Sequence, residues 1–386
     1  MRDAVIIEAV RTPIAKGRPN GALHDDHPAA LLARTLRILV ERAGIDPAAV
    51  DDVIGGVVTQ AGDQALNLTR TAVLAAGFPE TVPAMTVDRQ CGSSQQAVHI
   101  AAQGVQSGAY DIAIACGVES MSRVPMGSAV LPGGDPFAPL ASRYPEGLVG
   151  QGVSAELIAA RWKLTREEMD AFAFESHRRA AAAHAAGEFD RELAWPGMDE
   201  TVRPDTSPEA LARLRPAYHD PATAARFPEI GWDITAGNAS PVNDGAAAVL
   251  IMGADVAERL DLRPRARFRA FAVAGDDPLL MLTAIIPATA KALAKADLSL
   301  ADIDLFEVNE AFAPVVLAWA RDTGADLSRV NVRGGAIAIG HPLGASGARL
   351  MTTLLHALED RNARFGLQTM CEAGGLANAT VIERSS

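Results

Sequence analysis

The stretch Thr86-Val87-Asp88-Arg89-Gln90-Cys91-Gly92-Ser93-Ser94-Gln95-Gln96-Ala97 sets the reading of the whole chain. An apolar run from Ala84 to Val87 has the look of a short strand, and polar residues end it. After Cys91, the periodic apolar positions Ala97, Val98, Ile100, Ala101 and Val105 predict a helix. Cys91 is thereby placed at a strand-to-helix turn, near free amides and the positive end of a helix dipole. That environment favours a thiolate. Gly92, Ser93 and Ser94 leave room for a reactant. The competing reading is a buried cysteine that packs as a small hydrophobe, and the stretch alone does not separate the two.

The chain has 386 residues, 49% of them hydrophobic, enough for a large core built from two related halves or from one domain with an insertion. A net charge of -12 without a basic stripe argues against a nucleic-acid partner, and an anionic ligand would need a local basic pocket. Cys91, Cys116 and Cys371 are widely spaced, with no Cys-x-x-Cys pair, so neither a metal site nor a disulfide framework is expected. The first residues run straight into a strand, and no apolar run is long enough to span a bilayer. A reducing cytoplasm and no membrane insertion are the expectations.

Alternating strand and helix signals predict an α/β protein. Strands are expected at Asp3 to Val10, Asp52 to Thr59, Asp111 to Val118 and Ala246 to Met252. Helices are expected at Pro28 to Ala43 and from Thr165 to about Ala186. Pro125, Pro132, Gly133, Gly134, Pro136, Pro139 and Pro145 mark a long loop from Arg123 to about Ala160. The run Ala43 to Val53 has a partner in Ala296 to Phe306, each reading helix end, turn, strand. The expected organisation is a first core half at 1–121, an inserted loop domain at 122–245 and a second core half at 246–386.

In the second half, Asn331-Val332-Arg333-Gly334-Gly335-Ala336-Ile337-Ala338-Ile339-Gly340-His341-Pro342-Leu343-Gly344-Ala345-Ser346-Gly347 crowds five glycines around one histidine. Such a run is costly unless backbone must approach something closely. By the repeat, His341 takes the place of Cys91, and a histidine beside a cysteine can activate the thiol.

At this point the chain resembles the thiolases over essentially its whole length. The His341 stretch matches that family's Asn-x-x-Gly-Gly-x-Ile-Ala-x-Gly-His-Pro-x-Gly-x-Ser-Gly pattern. Asp88 to Ser93 resembles its nucleophile segment, Glu307 to Ala313 its Asn-Glu-Ala-Phe block, and Gly237 to Gly245 its coenzyme A loop. The resemblance implies two βαβαβαββ halves in an α-β-α-β-α core, and an enzyme acting on acyl-CoA and coenzyme A with no further cofactor. It also implies an assembly of at least two copies, as a homodimer or homotetramer. Cys91 would be the acylated nucleophile and His341 its base. Asn309 would hold a water of one oxyanion hole. Cys371 would be the second acid/base, and the amides of Cys91 and Ala373 a second oxyanion hole. Arg203, Ala236, Ser240 and Met281 would contact coenzyme A or substrate. Cys116, at the repeat position of Cys371 but in an apolar strand, is read as packing.

The implied reaction is thiolytic cleavage of a 3-ketoacyl-CoA to acetyl-CoA (or propionyl-CoA) and a shortened acyl-CoA. The same residues run backwards would make acetoacetyl-CoA. A ketoacyl synthase would need two histidines, and a non-catalytic lipid-binding relative would not need Cys91, Asn309, His341 and Cys371 together. Three departures bear on the acyl group. Cys371-Glu372-Ala373-Gly374-Gly375 replaces Cys-x-Gly-Gly-Gly, Gly150-Gln151-Gly152 replaces His-Met-Gly, and Leu282-Thr283-Ala284-Ile285 replaces Gly-x-Gly-Pro after Met281. They predict a degradative enzyme with a bulkier acyl pocket, opened by the glycines at 150 and 152 and reshaped by Leu282 and Ile285.

Overall fold

The computed structural model describes residues 2–385. Its strands are β1 (Ala4–Arg11), β2 (Ala15–Lys16), β3 (Asp52–Gly56), β4 (Ala84–Val87), β5 (Ile112–Ser120), β6 (Asn243–Gly253), β7 (Ala266–Gly275), β8 (Leu305–Val308), β9 (Phe365–Glu372) and β10 (Leu376–Arg384). They run in one path, β4-β3-β5-β6-β1-β7-β10-β9-β8, with β2 on β6. The path is two arms joined at β1 and β7, where only Val5–Arg267 and Ile6–Ala266 pair.

Reading outward from that join, the arms correspond strand for strand. β6 flanks β1 as β10 flanks β7, and β5 and β9 follow, then β3 and β8. At the far edge β4 runs parallel to β3, and Val330 makes the matching parallel bridge to Phe306 of β8. The two expected halves are therefore present, with one correction. The strand expected to open the second half belongs to the first, because β6 pairs along β5 and along β1. Periodicity finds such a strand but says nothing about its neighbours.

Helix Ser93–Ser107 and helix Ser346–Asp360 lie between the arms. Ala97, Val98 and Ala101 of one share a core with Ala348, Met351 and Leu354 of the other and with Ala115 and Val249 of the sheet. Helix Pro28–Ala43 covers the outside of the first arm and helix Ala313–Thr323 that of the second. Local chemistry explains the outer helix. Pro28 starts it, His27 caps it, and Gly44 at φ 68° ends it.

The long loop is shorter than expected. It ends at Gly150, where helix Gln151–Arg161 begins. Helix Arg166–Ala185 follows, closed at its start by a Thr165–Glu168 capping box. Although this insertion leaves from the first arm, Ala155, Ile158, Met169 and Ala173 pack into the core of the second. Buried Arg11 on β1 ties its far end down, donating to Glu192 at 2.5 Å and to Asp199 at 2.8 Å.

The central helices meet backbone to backbone. A Cβ on Gly347 would stand 2.1 Å from the Gln95 amide nitrogen, and one on Gly117 2.1 Å from the Gly344 carbonyl. The amide of Ala348 donates to Ser94 Oγ at 2.9 Å across the same contact. Gly347→Ala is expected to destabilise the protein by about 3 kcal/mol or more through overpacking. Gly108→Ala, at φ 81° with nothing within 4 Å, should cost only about 1 kcal/mol. Urea unfolding of the two variants compares them, and equal losses would contradict the account.

Candidate active site

Gln90 precedes Cys91 with φ 49°, and Gly340 precedes His341 with φ 116°. Each left-handed residue turns the chain sharply, so the next side chain is aimed out of the turn. The match is inexact in length. Cys91 lies two residues before its helix, whereas His341 lies five before, with a 3-10 turn at Leu343–Ala345 taking up the difference. Both side chains line one cavity of about 500 Å³, together with Met121, Gln151, Tyr218, Ser240 and Phe312.

The imidazole is held at every point. Asn243 Oδ1 accepts from the His341 amide at 2.9 Å, while its Nδ2 donates to the Ala15 carbonyl at 2.8 Å. A Cβ at Gly340 would collide with the Asn243 side chain at 2.6 Å, which is why glycine stands there. Ser346 Oγ donates to the Pro342 carbonyl at 2.8 Å, so at 2.6 Å from His341 Nδ1 it can only accept. With the Ser346 hydroxyl proton on the Pro342 carbonyl, Nδ1 carries the imidazole proton and Nε2 the lone pair. Nε2 lies 3.4 Å from Asn309 Nδ2, and Asn309 Oδ1 is buried without a partner among the described residues.

Asn331, at φ 47°, stitches the two motifs together. Its side chain accepts from the Val308 amide and donates to the Val308 carbonyl, each at 2.8 Å, and also donates to Glu310. Glu119 does the same for the other wall. It accepts from the amides of Val58, Thr59 and Gly344 and from Gln64, at 2.7–3.1 Å.

The Cys91 sulfur is approached by its own amide, the amide of Ala373 and the side chain of Gln151. These favour a thiolate, as expected from the helix start, but they are outweighed. Burial, and then the charge of Glu372, push the thiol up to about 12. Burial, and then Arg349, push His341 down to about 3. Burial thus favours a neutral thiol and a neutral imidazole over an ion pair at rest, and outweighs the pull of the helix start toward a thiolate. Cys371 is buried near Cys91, its thiol raised chiefly by burial and then by Cys91 and Glu372. Cys116 lies in the core of the first arm, its thiol raised by burial alone.

Ala373 costs the backbone little. The left-handed positions of its turn are Gly374 at φ 85° and Gly375 at φ 79°, while Ala373 is not among the left-handed residues. Ser240 lines the Cys91 cavity, and Met281 lines a second, more apolar one of about 570 Å³. Gly150 and Gln151 border both cavities. Arg203 and Ala236 are exposed and lie outside both linings.

Two expectations about this wall change. A Cβ on Gly150 would meet nothing within 4 Å, but one on Gly152 would meet the Tyr218 ring at 2.3 Å, so tyrosine occupies the space which that glycine vacates. Leu282 and Ile285 are buried in the core of the second arm and do not reshape the cavity. Sequence reasoning missed Asn243 and Ser346 as supports of His341, although both stand inside the quoted motifs. It read Gln151 only as part of the segment that replaces His-Met-Gly and gave it no contact with Cys91.

The family model for the thiolase N-terminal domain matches residues 4–255, and that for the thiolase C-terminal domain matches 262–384. A steroid 3-ketoacyl-CoA thiolase of Mycobacterium tuberculosis is 46% identical, covering 100% of this chain and 95% of its own. A 3-ketoacyl-CoA thiolase of Escherichia coli is 42% identical over 100% of both chains. The crystal structure of the Bacillus anthracis acetyl-CoA acetyltransferase superposes with a TM-score of 0.89 at 37% identity, covering 100% of this chain and 99% of that one. The chain belongs to the thiolase family. It is an acyltransferase.

The anchoring of His341 makes a prediction. Asn243→Ala strands the buried His341 amide and is expected to cost about 1–3 kcal/mol of stability. Turnover should fall by at least about tenfold as the imidazole loses its aim, while acyl-CoA binding persists. Steady-state kinetics and thermal unfolding of the variant test this. Unchanged turnover would show that the loop holds His341 without Asn243.

Proposed function

We propose that this protein cleaves 3-ketoacyl-CoA with coenzyme A, yielding acetyl-CoA and a shortened acyl-CoA. The observation that carries the reading is the convergence of Cys91 and His341 on one cavity, with the Ala373 amide directed at the Cys91 sulfur. Cys91 Sγ attacks the C3 carbonyl carbon, and its proton passes to the free lone pair of His341 Nε2. The C3 oxyanion is met by the amides of Cys91 and Ala373, donors of a kind worth about 3–4 kcal/mol each. As it collapses, the C2–C3 bond breaks and its electron pair moves to C2. The resulting enolate, its oxygen held by His341 and a water on Asn309, takes a proton from the Cys371 thiol. The Cys371 thiolate then takes the proton of the coenzyme A thiol as that sulfur attacks the acyl-Cys91 carbonyl, and His341 returns its proton to the departing Cys91 sulfur, so that both thiols and the neutral imidazole are restored. Coenzyme A is a substrate here, and no further cofactor takes part.

The coenzyme A chain is assigned to the cavity side lined by Ser240, and Ala236 and Arg203 are exposed residues that line neither cavity. The degradative direction and a bulky acyl group are supported by the second cavity. Phe137, Leu140, Tyr144, Leu148 and Met281 give it an apolar wall beside Gln151, and each buried CH₂ is worth roughly 0.8 kcal/mol. The similarity to a steroid 3-ketoacyl-CoA thiolase points the same way. A homo-oligomer is supported by the open edge at β4, where Met85 is exposed, and by Leu66, 94% exposed nearby. A reducing, cytoplasmic setting suits three unpaired cysteines.

Incubation with an acyl-CoA followed by peptide mass spectrometry should place the acyl label on Cys91. A label on Cys116 would sink the assignment. Cys371→Ala should still acylate Cys91 from acetyl-CoA yet lose carbon–carbon cleavage. For the substrate, kcat/KM in thiolysis should favour a medium-chain or ring-bearing 3-ketoacyl-CoA over acetoacetyl-CoA. The reverse ratio would assign the chain to short-chain synthesis and leave the catalytic residues in place.

A further inference from the structure

Glu372 takes no part in the reaction sequence above, yet it stands at its centre. It is the last residue of β9, directly after Cys371. Its side chain is fully buried, and both carboxyl oxygens lack a hydrogen-bond partner among the described residues. The carboxyl lies against the backbone immediately after Cys91. A Cβ on Gly92 would stand 1.8 Å from Glu372 Oε1, so glycine at 92 makes the room this carboxyl occupies. The group therefore sits at the start of the Cys91 helix and acts electrostatically on both thiols.

The charged and titratable groups facing it are few. From the segment before the helix, half-buried Arg89 favours the carboxylate and exposed Asp88 opposes it. From the helix start comes Cys91, and from its own strand Cys371. No side chain donates a hydrogen bond to it among the described residues. A buried carboxyl without donors favours its protonated form.

We propose that Glu372 is a positioning residue that sets the charge state available to the two thiols: uncharged it permits the Cys91 sulfur to gain negative charge, and ionised it holds both cysteines as thiols. Burial places its own proton loss at about 8. Below that value the carboxyl is neutral and Cys91 meets only the opposition of burial. Above it, a second negative charge faces any forming thiolate, so alkaline pH suppresses the nucleophile just where an ordinary cysteine would gain from it. The proposal rests on the assignment of Cys91 as nucleophile, but its test reads thiol chemistry without turnover.

The experiment compares the wild type with Glu372→Gln, which keeps the shape and cannot ionise, and Glu372→Asp, which keeps the charge. Iodoacetamide alkylation of Cys91 is followed from pH 6 to 10.5, with the modified peptide identified by mass spectrometry. The Gln variant is expected to alkylate about tenfold faster above pH 8, its profile displaced by about one unit to lower pH. The Asp variant should retain the wild-type form of the curve. The kcat profile of the Gln variant should extend further into alkaline pH. Superposed alkylation profiles for wild type and Gln variant, or a displacement to higher pH, overturn the proposal. Should the Gln variant not fold, the wild-type profile decides: a break near pH 8 supports the role, and a single-proton curve refutes it. Failure of Cys91 to take up an acyl group would instead refute the nucleophile assignment and leave these profiles standing.

Discussion

Everything in this molecule depends on two helix starts touching through their backbones. A Cβ at Gly347 would stand 2.1 Å from the Gln95 amide nitrogen, and one at Gly344, in the turn before that helix, 2.6 Å from the Gly56 carbonyl of β3. Such contacts are possible only where side chains are absent, so the glycine-rich run around His341 is first a packing requirement. Chemistry follows from it. Once the two turns are locked together, the residues after the left-handed positions at 90 and 340 must face one cavity. Glu119 reinforces the lock by accepting donors from both sides of it.

The electrostatics of the pair follow from the same burial. Taking a thiol and an imidazole out of water penalises the charged form of each, and here that penalty exceeds the help of a few amides. An ion pair at rest is therefore disfavoured. In the reaction proposed above, the proton moves as sulfur attacks carbon, because the negative charge then passes to an oxygen held by preorganised donors. The fixed Nδ1–H tautomer serves this directly, since it leaves Nε2 as the only basic position of the ring.

Much of this was legible in the sequence, and the reasons are local. Pro28 and Gly44 bound their helix, Thr165 and Glu168 start theirs, and the glycine spacing around His341 marks close approach. What escaped was non-local. The arm to which β6 belongs is decided by its partners β5 and β1, far away in sequence. That Tyr218 fills the space above Gly152 depends on a loop fold no pattern encodes. The sign of the Cys91 shift escaped because a helix start is visible in sequence, whereas the depth at which it is buried is not.

If the apolar cavity takes the acyl group, as proposed, its walls and the Cys91–His341 turns come from different parts of the fold. Cys91 and His341 stand on core turns next to glycines with no room for a Cβ, and Asn309 and Cys371 stand at strand ends. The walls of the apolar cavity come mainly from the segment between Asp135 and Gln151, with Met281, Ala373 and Gly374 closing it. The insertion that carries that segment is anchored, beyond its two helices, by buried ion pairs of Arg11 with Glu192 and Asp199. Its near end is exposed loop, with Phe137 69% accessible. On the proposed function, substitutions there would alter pocket volume away from the glycine contacts, so substrate size would be set by a part of the fold that the proposed catalytic residues do not use. Gln151 is the exception. It borders both cavities and approaches the Cys91 sulfur. At that one position, a change in the wall of the proposed acyl cavity is also a change in the surroundings of Cys91.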